Sequence, residues 1–203
     1  MLRCVWLASC LMALSGPWTS SLFAQQKIDA QWVWFDEGNP AESAPAGKVW
    51  FRKEYRAEEP STGAAIIACD DAFVLWVNGQ KVGEGGGTKS SFFNLNGIVG
   101  RGTNVFAIEA TNKSGRAGLF VDAEIRGQSG HSLPCDTNGE WKATRQAPQG
   151  DAWLKPRFND ATWKAVKVLG PHASSPWKEI SVELADVARF QLPPGFEIKR
   201  IAE

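Results

Sequence analysis

Hydrophobic and polar positions alternate along most of this chain with a period of two, the spacing of a strand buried on one face. Over residues 48–57, Val49, Phe51 and Tyr55 fall on odd positions and Arg52, Glu54 and Arg56 on even ones, with Trp50 and Lys53 breaking the alternation. Phe73, Leu75 and Val77 alternate with Val74, Trp76 and Asn78, and Leu119, Val121, Ala123 and Ile125 alternate with Phe120, Asp122 and Glu124. Residues 64–69 are a continuous small-apolar run, as expected of an inner strand. Shorter segments at 32–35, 80–83, 92–95, 106–110, 141–145 and 163–168 bring the set to roughly ten strands, with turn residues about every eight to twelve positions. Asn78-Gly79 predicts a tight hairpin, because a type I′ turn needs positive φ at both central residues. No stretch over residues 31–176 keeps a 3.6-residue period for three turns, and the one helical turn expected is at Asn159-Asp160-Ala161-Thr162, capped by Asn159 or Asp160. The fold this predicts is all-β: an antiparallel β-sandwich of the jelly-roll kind.

The first residues follow a different rule. Met1-Leu2-Arg3 is a short positive start, residues 4–14 are apolar but too few to span a bilayer, and Leu22-Phe23-Ala24 precedes Gln25-Gln26. Residues 1–24 therefore read as a secretory signal peptide cut after Ala24, and the mature chain is expected to be exported, to the periplasm or beyond. No other apolar stretch approaches the length of a membrane span. Cleavage removes Cys4 and Cys10 and leaves Cys69 and Cys135, one potential disulfide in an oxidising compartment.

Strand direction places the loops. If successive strands run antiparallel, and the end holding Asp70-Asp71 is called upper, then the loops at 36–47, 84–90 and 111–116 gather at that same end. Loops clustered on a rigid scaffold commonly carry binding residues. Asp70, Asp71, Glu84, Asn112 and Arg116 are the polar ligand-binding candidates there. Trp76 joins them, because it lies on the less apolar face of its strand and sugars stack their CH faces on exposed aromatic rings. The same tracing puts Cys69 and Cys135 near the upper end and makes them a disulfide candidate, with two buried free thiols as the alternative.

Charge and motif content narrow the chemistry. Lys plus Arg and Asp plus Glu both number 22, so there is no basic field for nucleic acid. His131 and His172 are isolated, and the metal-binding spacings H-x-x-x-H and C-x-x-C do not occur, which argues against zinc. No cofactor is indicated, and whether Ca²⁺ sits in the upper loops is left open by the sequence. Asp36-Glu37, Glu58-Glu59 and Asp70-Asp71 are adjacent pairs, whereas a glycosidase needs two carboxylates facing each other across a sugar at roughly 5 to 10 Å. These pairs read as turn residues and solvated charges.

Several segments resemble known modules. Ala30-Gln31-Trp32-Val33-Trp34-Phe35 followed by Phe51-Arg52-Lys53, the core from Asp70-Asp71-Ala72-Phe73 to Val77-Asn78-Gly79-Gln80-Lys81-Val82-Gly83, and Gly102-Thr103-Asn104-Val105-Phe106-Ala107 are similar to the β-sandwich ahead of the catalytic part of bacterial α-L-rhamnosidases. The middle segments also resemble the sugar-binding sandwich of family 2 glycosidases. Trp153, the run Pro156-Arg157-Phe158-Asn159-Asp160-Ala161-Thr162-Trp163, and Leu169-Gly170 resemble the ending of such modules. The resemblance, over about residues 30–177, implies a galactose-binding-domain-like sandwich. Residues 35–47 and 190–198 further resemble large exported proteins of planctomycete-type bacteria, in which such a sandwich precedes a dehydrogenase-like β-propeller and often a c-type haem domain. This implies a sandwich over residues 25–177, then a linker and the start of a following domain over 178–203.

Three functions follow as expectations. The first is a non-catalytic, carbohydrate-binding accessory module of an exported bacterial protein, with carbohydrate and an adjoining domain as its partners. The second is a purely structural domain packing on a propeller. The third is a glycoside hydrolase fragment.

Overall fold

The structure, a computed structural model, describes residues 29–87 and 89–178. The expected signal peptide (1–24) and the expected opening of a following domain (190–198) lie outside the described residues. No helix among the described residues is long and apolar enough to cross a membrane.

Two six-stranded antiparallel sheets pack face to face. The strands are β1 (Gln31–Trp34), β2 (Gly47–Ala57), β3 (Ser61–Asp70), β4 (Ala72–Val77), β5 (Gln80–Gly86), β6 (Ser91–Asn94), β7 (Gly102–Asn112), β8 (Gly118–Gly127), β9 (Ser132–Pro134), β10 (Lys142–Thr144), β11 (Lys164–Ala165) and β12 (Lys167–Pro171). One sheet runs β12-β1-β8-β3-β6 with β9 on the edge of β8; the other runs β11-β10-β2-β7-β4-β5. The Asn78-Gly79 turn has φ of 54° and 85°, the double positive φ its sequence predicts. The turn expected at 159–162 is a single hydrogen-bonded turn, with the Trp163 amide donating to Asp160 O at 3.0 Å and Asn159 Oδ1 accepting from the Ala161 amide at 3.1 Å; the one 3-10 turn among the described residues forms earlier, at Ala152–Leu154.

The period-two pattern decides what each face does. Val49 and Phe51 of β2, Phe73, Leu75 and Val77 of β4, and Phe106, Ile108 and Ala110 of β7 meet Ala65, Ile67, Cys69, Leu119, Val121, Ala123 and Ile125 of the other sheet in one core. Both outer faces carry further packing. On the β2-β7-β4 sheet, Trp153 and Leu154 lie over Val105 and Ala107, with Trp50, Trp76, Phe158 and Trp163 around them. On the opposite sheet, residues 172–177 fold back so that Trp177 stacks on Trp32, with centroids 4.8 Å apart.

Arg52 holds the first of these layers. Its alternation puts it outward, yet it is only 2% exposed. Its Nε donates to Trp153 O at 2.9 Å and its Nη2 to Lys155 O at 2.9 Å, while Nη1 meets Asp160 at 2.6 Å and Nη2 also pairs with Glu54.

The two cysteines are free, buried thiols, which corrects the disulfide expectation. Cys69 pairs with Leu119 of β8, whereas the Cys135 amide bonds Ala123 O on the other side of that strand. That separation is about 13 Å along the sheet and about 10 Å across it, against the Cα–Cα limit of roughly 7 Å for a bridge. Direction was right and height was not: β9 begins beside Arg126 and climbs β8 one residue at a time, so Cys135 has reached only Ala123, midway up the sheet. Burial pushes both thiols well above their ordinary value, and the nearby Asp70 and Asp71 add to this at Cys69.

Asp136 sets a pH dependence. Burial raises its carboxyl to about 6, with the neighbouring Asp122 and Asp29 carboxylates adding to the rise against the Ala123 amide that bonds it. The folded form thus holds a proton that the unfolded chain releases near pH 4. This contribution to stability is full below the unfolded value and disappears as pH rises through about 6. Asp136→Asn, which keeps an acceptor for Ala123, is expected to stabilise by about 1–2 kcal/mol at pH 8, after discounting for solvent screening, and by little at pH 4. Thermal melts of both proteins across that range check this, and a gain independent of pH contradicts it.

Candidate functional site

Strand topology gathers four loops at one end of the sandwich. The chain crosses between sheets there four times, from β1 to β2, β3 to β4, β5 to β6 and β7 to β8. The register confirms that these crossings share one end: Asp70 lies opposite Gly118, Ala72 opposite both Thr111 and Gly86, and Gly47 opposite Asn112. The loop-end gathering read from strand direction is therefore what the fold contains.

Asp70 and Asp71 form the shortest crossing, joined by a cis peptide bond. Asp70 Oδ2 pairs with Arg116 Nε at 2.9 Å. Asp71 is held by its own amide, which donates to Thr111 O at 3.1 Å, and by its Oδ2, which accepts from the Lys113 amide at 2.7 Å. The second carboxylate oxygen of Asp71 has no partner among the described residues. Gly86 passes so close that a Cβ there would collide with the Asp71 carbonyl, and its φ of 135° excludes other residues as well. These loops are tied rather than loose. Ala44 N bonds Gly115 O at 2.7 Å, Ala117 N bonds Pro40 O at 2.9 Å, and Gly87 N bonds Cys69 O at 3.1 Å.

Three of the six ligand-binding candidates occupy different roles. Asn112 is 1% exposed and spends its amide on Ala44 O and Pro45 O, so it anchors the 36–47 loop from beneath. Its Oδ1 is buried without a partner among the described residues. Glu84 is not in the upper loop, because β5 continues to Gly86; it faces Val74 on an edge strand and pairs with Lys81 at 2.9 Å. Trp76 lies near the opposite end of β4, in an edge-to-face contact with Trp153 at 5.7 Å. Asp70, Asp71 and Arg116 remain together at the loop end.

Sequence reasoning missed two residues that shape this end. Arg145, just beyond β10, grips Glu37 with Nε at 2.9 Å and again through Nη2, which also donates to Pro45 O at 2.9 Å. Glu37 also accepts from Trp34 Nε1 at 3.2 Å. The pair clamps the 36–47 loop, and its only sequence signal was Asp36-Glu37, which reads as a turn.

Comparison with known proteins bears on this arrangement. No protein-family model matches the chain. Over 161 residues it is 31% identical to an α-L-rhamnosidase of Streptomyces avermitilis, an alignment covering 75% of this chain and 15% of that protein. The chain therefore corresponds to about 15% of the length of that relative. A crystal structure of the Streptomyces avermitilis α-L-rhamnosidase complexed with L-rhamnose superposes with a TM-score of 0.69 at 28% identity, covering 75% of this chain and 16% of that one. A lectin from Pleurotus ostreatus, in complex with GalNAc, superposes with a TM-score of 0.70 at 29% identity, covering 76% and 46%. The described domain is thus similar to a region of α-L-rhamnosidases and to a carbohydrate-binding lectin.

Proposed function

We propose that this domain is a non-catalytic carbohydrate-binding module of an exported protein, with the loop end around Asp71 as its sugar site. The observation that carries the reading is the likeness, at 28% and 29% identity, to two proteins whose structures hold L-rhamnose and GalNAc, joined to a loop end that presents an unspent carboxylate oxygen. Sugar hydroxyls are bound by fixed acceptors and donors in just such positions. Asp70 and Asp71 are committed to the Arg116 guanidinium and the Lys113 amide, which suits orienting hydroxyls better than passing protons. Export rests on the signal-peptide pattern of residues 1–24, and an adjoining domain on the resemblance of residues 190–198 to the opening of a propeller.

Calorimetric titration with L-rhamnose and GalNAc tests the site. Asp71→Ala is expected to weaken the sugar that binds by tenfold or more, while Trp76→Ala leaves the affinity unchanged. Asp71→Asn, which keeps an acceptor for Lys113, separates the lost charge from a loosened loop. Full affinity in Asp71→Ala would overturn the assignment.

A further inference from the structure

A second recess lies away from the loop end, on the outer side of β2. It is an open cleft of about 280 Å³, lined by Arg52, Lys53, Glu54, Glu140, Lys142, Arg157, Phe158 and Asp160. Its size is just below the usual range for small-molecule sites, so it suits a unit the size of one sugar.

The cleft is rigid for a reason already described. Arg52 pins the 153–160 segment through Trp153 O, Lys155 O and Asp160. Lys142 Nζ holds Asp160 from the other side at 2.6 Å, and the Arg157 amide donates to Glu54 at 3.2 Å. Burial pushes the Asp160 carboxyl up, but Lys142 and Arg52 outweigh it and hold it below the usual carboxylate value. Arg157 itself sits at φ 68°, a left-handed conformation that costs a non-glycine residue about 1–2 kcal/mol. Such strain persists only where the surroundings fix it, and it concentrates at binding sites.

Charge then selects the ligand. Each carboxylate lining the cleft has a cationic partner: Asp160 has Arg52 and Lys142, Glu54 has Arg52, and Glu140 has Lys53 at 2.7 Å. Four cationic side chains line the cleft against three carboxylates, and the guanidinium of Arg157 has no carboxylate partner among the described residues. A guanidinium presents its N–H groups as a planar fork that matches a carboxylate with two parallel bonds. Half-buried Phe158 adds an apolar wall for a CH face.

We propose that this cleft is a second ligand site, separate from the loop end, that takes a uronate unit of an acidic saccharide with Arg157 gripping the carboxylate. The saccharide part rests on the carbohydrate reading above; the anion part does not.

Amide chemical shifts followed by NMR, during titration with galacturonate trisaccharide, locate the binding. The expected result is perturbation confined to residues 52–54, 140–142 and 155–160, weakened tenfold or more in Arg157→Gln and by added salt. Arg157→Lys keeps the charge but not the fork, and should restore only a minor part. Neither variant should alter the binding of a neutral sugar at the loop end, and Asp71→Ala should leave the uronate titration unchanged. If neutral sugars fail to bind while galacturonate still perturbs 155–160, the loop-end reading fails and the cleft stands. Perturbation by galacturonate at the loop end alone, equal affinity for free acetate or for a sulfated sugar, or an Arg157→Gln titration identical to wild type would each overturn the cleft proposal.

Discussion

Arg52→Ala is expected to destabilise the domain by about 3 kcal/mol, which in a domain of this size lowers the melting temperature by roughly 6–12 °C. The substitution does more than delete one ion pair. The carbonyls of Trp153 and Lys155 lose their donors, and Asp160 and Glu54 lose a cation. Breaking a buried pair by removing one partner costs about 3–5 kcal/mol. The lower figure applies here because Asp160 is partly exposed and keeps Lys142. What makes the residue costly is its position between two layers. Trp153 and Leu154 cover Val105 and Ala107 only while the 153–160 segment lies flat against β2 and β7. Hydrogen exchange should therefore show amides 153–163 opening first, with β3 and β8 retaining protection. A loss under 1 kcal/mol with unchanged exchange would mean that the tryptophan contacts alone fix this layer.

Arg52 also marks the limit of what the alternation in the sequence reveals. The pattern over residues 48–57 identifies a strand and its inner face correctly, since Val49 and Phe51 are in the core. It assigns Arg52 to solvent, because period two reports the pleat and says nothing of a segment a hundred residues later that covers the outer face. Trp76 illustrates the same gap: it is outward-facing as expected, but Trp153 lies against it. Loop placement was more legible, because strand direction depends only on counting. It brought the loops at 36–47, 84–90 and 111–116 to the end holding Asp70-Asp71, and the register places those crossings there, with residues 84–86 belonging to β5. Individual residues within loops were less so. Glu84 moved into β5 because Gly83, Gly85 and Gly86 continue a strand that their composition disguises. Asn112 turned inward because two backbone carbonyls of the 36–47 loop needed a donor. The cysteines failed for the converse reason: strand direction gives neither the register of β9 on β8 nor the side of β8 on which each cysteine falls.

The second large effect is at Trp177, where a single side chain closes the outer face of the other sheet. Trp177 is fully buried and stacks on Trp32, whose Nε1 in turn donates to His172 O at 3.1 Å. Ala30, Ala68 and Phe120 complete the cluster. Gly118 is what admits the ring, since a Cβ there would stand 2.7 Å from Trp177 and 2.9 Å from Trp32. Truncating a buried tryptophan to alanine costs about 3–5 kcal/mol through lost transfer energy and the cavity left behind. One feature offsets part of that cost: the Trp177 indole N–H is buried with no acceptor among the described residues. An unmade hydrogen bond of that kind costs about 1–3 kcal/mol, and alanine removes it. Trp177→Ala is therefore expected to destabilise by about 3 kcal/mol, the lower end of that range. Trp177→Phe discards the unsatisfied N–H while keeping most of the ring contact, and should fall within about 1 kcal/mol of wild type. Gly118→Ala reaches the same contact from below and should resemble Trp177→Ala, because the ring must move to make room. Denaturant melts of the three variants decide the matter. A Trp177→Phe variant as unstable as Trp177→Ala would show that the indole nitrogen has a partner after all, and that the stacking on Trp32 is not what holds residues 172–177 to the sheet.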